Sequence, residues 1–102
     1  VTKKLERDGA VAVLISPGFG AGWSTWNSEP ASAFDPEMAE AVLAGDNAKA
    51  EIIAKQKYPN AYTGGVANLT VEWVTKGDRF EIHEYDGSES LRVFGPNDGM
   101  VA

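Results

Sequence analysis

The chain has 102 residues with no cysteine, 43% of them hydrophobic and 24% charged, and a formal net charge of −6. This suits one folded domain with a modest core and rules out disulfide staples, thiolate metal sites and cysteine nucleophiles. The acidic balance speaks against duplex nucleic-acid binding through phosphate neutralisation, and it favours a basic partner or a cationic ligand.

No apolar run approaches the roughly 20 residues of a membrane span, so no membrane association is expected. The opening Val1-Thr2-Lys3-Lys4-Leu5-Glu6-Arg7 has no apolar segment behind it, so no signal peptide is read and a cytoplasmic location is expected. Residues 1–8 are expected to form a loose arm or edge strand. Ala10 to Ile15 is apolar at every position, the pattern of a strand buried on both faces. Pro17 and Gly18 should end it.

From Gly18 to Ala33 neither helical nor alternating periodicity is found. Asp35-Pro36-Glu37 is a helix start: a capping side chain, a proline suited to the first turn and an acid that complements the helix dipole. Met38, Val42 and Leu43 supply its apolar face and Gly45 its stop. Asp46 or Asn47 caps a second helix that runs to about Tyr58, with Ala48, Ile52 and Ile53 inward and Pro59 ending it.

After Tyr62-Thr63-Gly64-Gly65 a three-stranded meander is expected. Leu69, Val71 and Trp73 alternate with Thr70, Glu72 and Val74, and Lys76 to Asp78 holds a turn. Asp86-Gly87 is a two-residue hairpin loop. It sets Ile82 opposite Leu91, Phe80 opposite Val93, Glu81 opposite Arg92 and His83 opposite Ser90, so apolar residues meet apolar ones and a charge meets its counter-charge. Residues 95–102 are turn-rich and are expected to be flexible.

The fold class that follows is α+β, a single domain over 1–102. One mostly antiparallel sheet of about four strands carries two short helices on one face. Trp73, Phe80, Ile82, Leu91 and Val93 would meet the helices, and Glu72, Glu81, His83 and Arg92 would face outward.

The segment Ser16 to Asn27 holds three of the eleven glycines and two of the three tryptophans. Gly18-Phe19-Gly20 begins like a dinucleotide fingerprint, but Trp23 stands where the third glycine belongs and no helix signal follows. A phosphate-binding P-loop is excluded for want of Gly-Lys-Ser/Thr, and Gly22-Trp23-Ser24-Thr25-Trp26 misses the serine-hydrolase elbow at its last position. What remains is a turn of close-approaching backbone beside indoles, hydroxyls and an amide. It suits stacking on a flat ligand, anion binding by backbone N–H groups, or anchoring a protein partner.

The candidate binding residues are accordingly Gly18, Phe19, Gly20, Gly22, Trp23, Ser24, Thr25, Trp26 and Asn27, with Tyr62, Thr63 and Gly64 as a second wall. The competing reading folds Trp23 and Trp26 back over the core. His83 near Glu72 and Glu81 is read as a surface histidine. Glu37, Glu40, Asp46, Glu84, Asp86 and Glu89 are read as caps, turns and solvated faces. No catalytic residue, metal or cofactor is assigned.

Three stretches resemble small, largely uncharacterised proteins encoded by bacteriophages and some of their hosts: the apolar strand running into Gly-Phe-Gly-Ala-Gly-Trp-Ser-Thr-Trp, the Tyr-Thr-Gly-Gly turn at 62–65, and the hairpin Phe80 to Gly87. The resemblance implies a compact accessory protein acting on host machinery or defence, and it assigns no catalytic residue. The leading expectation is a non-enzymatic protein that engages a host protein through loop 16–27. The alternatives are a nucleotide-like small ligand held by that loop with Tyr62–Gly65, and last a small hydrolase.

Overall fold

The computed structural model describes residues 4–18, 22–25, 30–61, 63–85, 87–94 and 100–102. Its strands are β1 (Glu6–Arg7), β2 (Ala10–Ile15), β3 (Thr70–Thr75), β4 (Arg79–Tyr85), β5 (Ser88–Phe94) and β6 (Met100–Val101). Its helices are α1 (Pro36–Leu43) and α2 (Asn47–Lys57), with single 3-10 segments at Pro30–Phe34 and Val66–Asn68.

The α+β class is as expected, but the sheet is not. The strands form two three-stranded antiparallel sheets, ordered β1-β2-β3 and β5-β4-β6. The expected meander fails at Lys76–Gly77. Gly77 takes the left-handed φ of 90° and the Asp78 N–H closes a turn on the Thr75 carbonyl at 3.0 Å. The turn passes the chain to a second layer, while β3 pairs with β2 along its whole length, from Ala10 opposite Thr75 to Ile15 opposite Thr70.

The central strand β2 is therefore covered on both sides, as its uninterrupted apolar sequence requires. Ala12 and Leu14 pack with Met38, Ala39, Ala50, Ile53 and Ala54 of the helices. Val11, Val13 and Ile15 pack with Phe34, Val74 and Phe80, and Ile82, Leu91 and Met100 join that second cluster. Phe80, Ile82 and Leu91 thus meet the sheet and the 3-10 segment rather than the helices. Trp73 and Val93, expected inside, are 39% and 50% exposed, and the Arg7 guanidinium lies 5.9 Å from the Trp73 ring. Glu72 pairs with Val13 in the first sheet, away from His83 in the second.

The hairpin β4–β5 has the expected register at all four pairs, and it continues to Tyr85 opposite Ser88. Both helix caps also stand: Asp35 accepts from the Met38 N–H and Asp46 from the Lys49 N–H, each at 3.0 Å. In α2 the inward residues are Ala50, Ile53 and Ala54, while Ala48 and Ile52 are exposed. The ends of the described chain are paired. β1 returns on β2 through Asp8–Gly9, both at positive φ (53° and 79°), a two-residue hairpin loop. At the other end β6 pairs with β4, and the Ala102 N–H bonds the Asp78 carbonyl at 2.9 Å. Of the tail 95–102, Met100 and Val101 pair with β4, and 95–99 lie outside the described residues.

Asp35 is buried and also joins the two helices. It accepts from the Tyr58 hydroxyl at 2.8 Å and pairs with Lys57 at 3.2 Å, while Lys57 reaches Glu37 at 2.8 Å. Burial lowers the Lys57 pKa, but the hydrogen bonds it donates to Glu37 and Asp35, together with their charges, outweigh it and raise the value above the ordinary one. A cation with a raised folded-state pKa stabilises fully below its unfolded pKa. That contribution is lost as pH rises through the folded value, so this clamp persists through neutral pH.

Phe80 and Val93 face each other in the ladder but differ in burial. Phe80→Ala is expected to cost about 3–5 kcal/mol and Val93→Ala less than about 1 kcal/mol. Urea denaturation of the two variants checks this, and equal losses would contradict the two-layer core.

Candidate functional site

The glycine-rich segment leaves β2 at Ser16, and its described residues converge on one side chain, Glu89 of β5. Glu89 is 2% exposed. Its Oε1 accepts from the Ser16 N–H at 2.8 Å. Its Oε2 accepts from the Trp23 N–H at 3.0 Å, the Thr25 N–H at 2.7 Å and the Thr25 hydroxyl at 2.7 Å. The Glu89 N–H in turn donates to the Ser16 carbonyl at 2.7 Å. Among the described residues no cation pairs with this carboxylate, and four donors take the place of one. Such charge-assisted hydrogen bonds are what make a buried carboxylate tolerable.

The segment is thus an anion-binding turn in chemistry, and the anion is the protein's own. Three backbone donors that could have held a ligand's phosphate are already turned onto Glu89. Sequence reasoning placed Glu89 on a solvated face, and the structure corrects this. The signal was present: Glu89 has the same parity in β5 as Leu91 and Val93, so the hairpin register that turns Leu91 inward turns Glu89 inward too.

Trp23 is core. It is fully buried, its indole N–H donates to the Ser32 carbonyl at 3.0 Å, and its ring meets Tyr58 edge-on at 6.0 Å. Its position satisfies the indole donor and packs the ring among helix side chains. Of the two readings of this tryptophan, the structure favours the one that folds it over the core. Ser24 donates its hydroxyl to the Leu14 carbonyl at 2.6 Å, so the hydroxyl is not directed at an imidazole. Gly22 is buried. Gly18 lies so close to Asn68 that a Cβ there would stand 3.2 Å from its amide nitrogen.

The second expected wall reaches the start of the segment. The Ser16 hydroxyl donates to the Gly65 carbonyl at 3.4 Å, and the Val66 N–H closes on the Thr63 carbonyl at 3.1 Å. Gly64 is exposed in the same turn. Phe19, Gly20, Trp26, Asn27 and Tyr62 lie outside the described residues.

On the other side of Ser24 and Thr25 is a recess of about 350 Å³, lined by these two residues with Phe80, Glu81, Ile82 and Met100. Three apolar side chains thus face two small polar ones, with one carboxylate among them. Glu81 is held from the outer face by His83, whose Nε2 lies 2.6 Å from a Glu81 oxygen, and both side chains are about half exposed. Among the described residues no three histidine or carboxylate side chains group as metal ligands do, and no helix is long and apolar enough to cross a membrane.

No protein-family model matches the chain, and neither a curated protein nor a solved structure matches it.

Replacing one of the two oxygens that serve these four donors is the sharpest test of this arrangement. Glu89→Gln keeps the shape but turns an NH2 group toward N–H donors, and is expected to cost about 2–4 kcal/mol. Ser88→Ala, which removes a hydroxyl bonded to the Pro17 carbonyl at the exposed end of the same strand, should cost about 1 kcal/mol or less. Thermal and urea unfolding check the contrast. A Glu89→Gln variant as stable as the parent would show that the carboxylate does not hold the segment.

Proposed function

We propose that this chain is a non-enzymatic protein-binding domain whose contact surface is the recess between the Ser24–Thr25 corner and strands β4 and β6. The observation that carries the reading is the recess itself, with Phe80, Ile82 and Met100 brought against the corner that Glu89 fixes. An apolar depression with a polar, acidic rim is the composition of an interface centre. The net charge of −6 favours a basic partner surface and speeds encounter with it. With the resemblance to phage-encoded accessory proteins, a bacterial host protein is the expected partner.

The nucleotide-like alternative is weakened because the Ser16, Trp23 and Thr25 N–H groups are engaged by Glu89, and the Trp23 ring is buried rather than free to stack. The hydrolase alternative is weakened by Ser24, whose hydroxyl is given to a carbonyl.

The test is comparative affinity purification from host extract with three proteins: the parent chain, Met100→Glu in the recess, and Glu40→Lys on the exposed face of α1. A captured protein should be retained by Glu40→Lys and lost by Met100→Glu with at least about tenfold weaker binding, the scale of losing one central interface contact. The same capture by all three proteins, at unchanged folding of Met100→Glu, would overturn the recess as the contact surface.

A further inference from the structure

The hairpin register sets Arg92 opposite Glu81, but the ion pair it offers is not made. The Glu81 carboxylate turns along its own strand to His83 Nε2, 2.6 Å away. Among the described residues neither Arg92 nor Arg79 has a carboxylate partner. In a chain with 15 acids against nine lysines and arginines such cations are exceptions. Lys55, Lys57 and Lys76 are paired, and the third arginine, Arg7, lies over the Trp73 ring.

Both guanidiniums belong to the outer face of the second sheet, with Glu81, His83 and Tyr85. Arg79 stands opposite Phe94 and Arg92 opposite Glu81. The two arginines are therefore diagonal neighbours across the β4–β5 ladder, a separation that long side chains bridge. On the other side of Arg79 is Val101 of β6, whose carbonyl accepts from the Lys4 ammonium at 2.9 Å. Three cations thus gather at one end of the sheet, around a carboxylate that His83 occupies. His83, Ser90 and Arg92 are exposed and Tyr85 is 77% exposed, so no part of the chain covers these side chains.

We infer that this face binds an extended protein segment carrying a phosphorylated side chain, with the phosphate held by Arg79 and Arg92. Charge selects the occupant. A phosphate monoester carries about −1.5 to −2 near neutral pH, and two guanidiniums match that charge with planar pairs of N–H donors. A carboxylate would leave one guanidinium unanswered. A nucleic-acid strand would carry further phosphates beyond the two arginines, over a protein of net −6, whereas a polyanion calls for a row of cations.

Tyr85 gives the segment its second contact. It lies four residues beyond Glu81 on the same face, roughly 13 Å at the rise of a β-strand. An extended segment lying along the strands covers that span with four residues, so an apolar side chain four positions from the phosphate meets the exposed ring. The recess is built on Phe80 and Ile82 of the opposite face, so this inference does not rest on it.

The probe is the capped peptide acetyl-Leu-Ala-Ala-Ala-pSer-Ala-Ala-Ala-Leu-amide, which offers a leucine at the same spacing in either chain direction. It is titrated against the intact chain at low salt and followed by NMR. Saturable shifts are expected at Arg79, Arg92 and Tyr85. Arg79→Gln and Arg92→Gln should each weaken binding at least about tenfold, as should omission of the phosphate, while Arg7→Gln changes it less than about twofold. Met100→Glu should bind the peptide as the parent does.

Equal weakening by Arg7→Gln would reduce the effect to general attraction and overturn the inference. Inorganic phosphate binding as tightly as the peptide would overturn a protein segment as the occupant. Tighter binding of an oligothymidylate of about ten residues, with the same shifts, would assign the face to a nucleic-acid strand and overturn it too. No binding of the phosphopeptide, with host-protein capture still lost in Met100→Glu, would overturn this inference and leave the recess reading standing.

Discussion

The structure depends on one carboxylate placed where hydrophobic patterning calls for an apolar side chain. Glu89 occupies an inward position of β5, and burying it without partners would cost several kcal/mol. The chain meets that requirement by bending the segment after β2 until three N–H groups and one hydroxyl point at the same two oxygens. The consequences run outward from there. Fixing Thr25 and Trp23 seats the Trp23 indole in the helix-side core. Fixing Ser16 ties the end of β2 to β5, a direct link between the layers. Ser24, carried between two anchored residues, is set against Leu14 on one side and the recess on the other.

This also explains why the segment reads as a ligand site in sequence. Gly18 and Gly22 occupy a crowded and a buried place, and the N–H groups are gathered as they are around a bound anion. Those features are real, but the anion they serve comes from a residue more than 60 positions further along the chain. Nothing local in Ser16–Asn27 distinguishes an internal acceptor from an external one. The distinguishing information lay in the hairpin, where extending the register one pair past His83–Ser90 puts Glu84 and Glu89 opposite each other on the face of Ile82 and Leu91. Glu84 turns its carboxylate to the Gly87 N–H, and Glu89 is given the loop.

The elements that were legible are those whose signals are local. The caps at Asp35 and Asp46, the stop at Gly45 and the β4–β5 register each depend on residues a few positions apart. The doubly buried β2 was legible from composition alone. The division into two sheets was not, because a tight turn at Lys76–Gly77 fits either a hairpin or a passage between layers, and the choice is made by β2, which takes β3 as its partner about 60 residues away. Alternation likewise gives the face of Trp73 and Val93 correctly but not their burial. That depends on whether another element extends far enough to cover them.

The same limit explains why the closure of the β2 edge escapes sequence reading and yet matters. Edge strands that offer unpaired backbone groups are an aggregation hazard, and stable domains blunt them with charge or cover them. Here β2, whose side chains build both cores, has its Leu14 carbonyl and its Ser16 N–H and carbonyl bonded by Ser24 and Glu89 beyond the reach of β1. The Glu89 anchor therefore has two effects: it bonds edge groups of β2 that the fold needs bonded, and it holds the Ser24–Thr25 corner where it walls the recess.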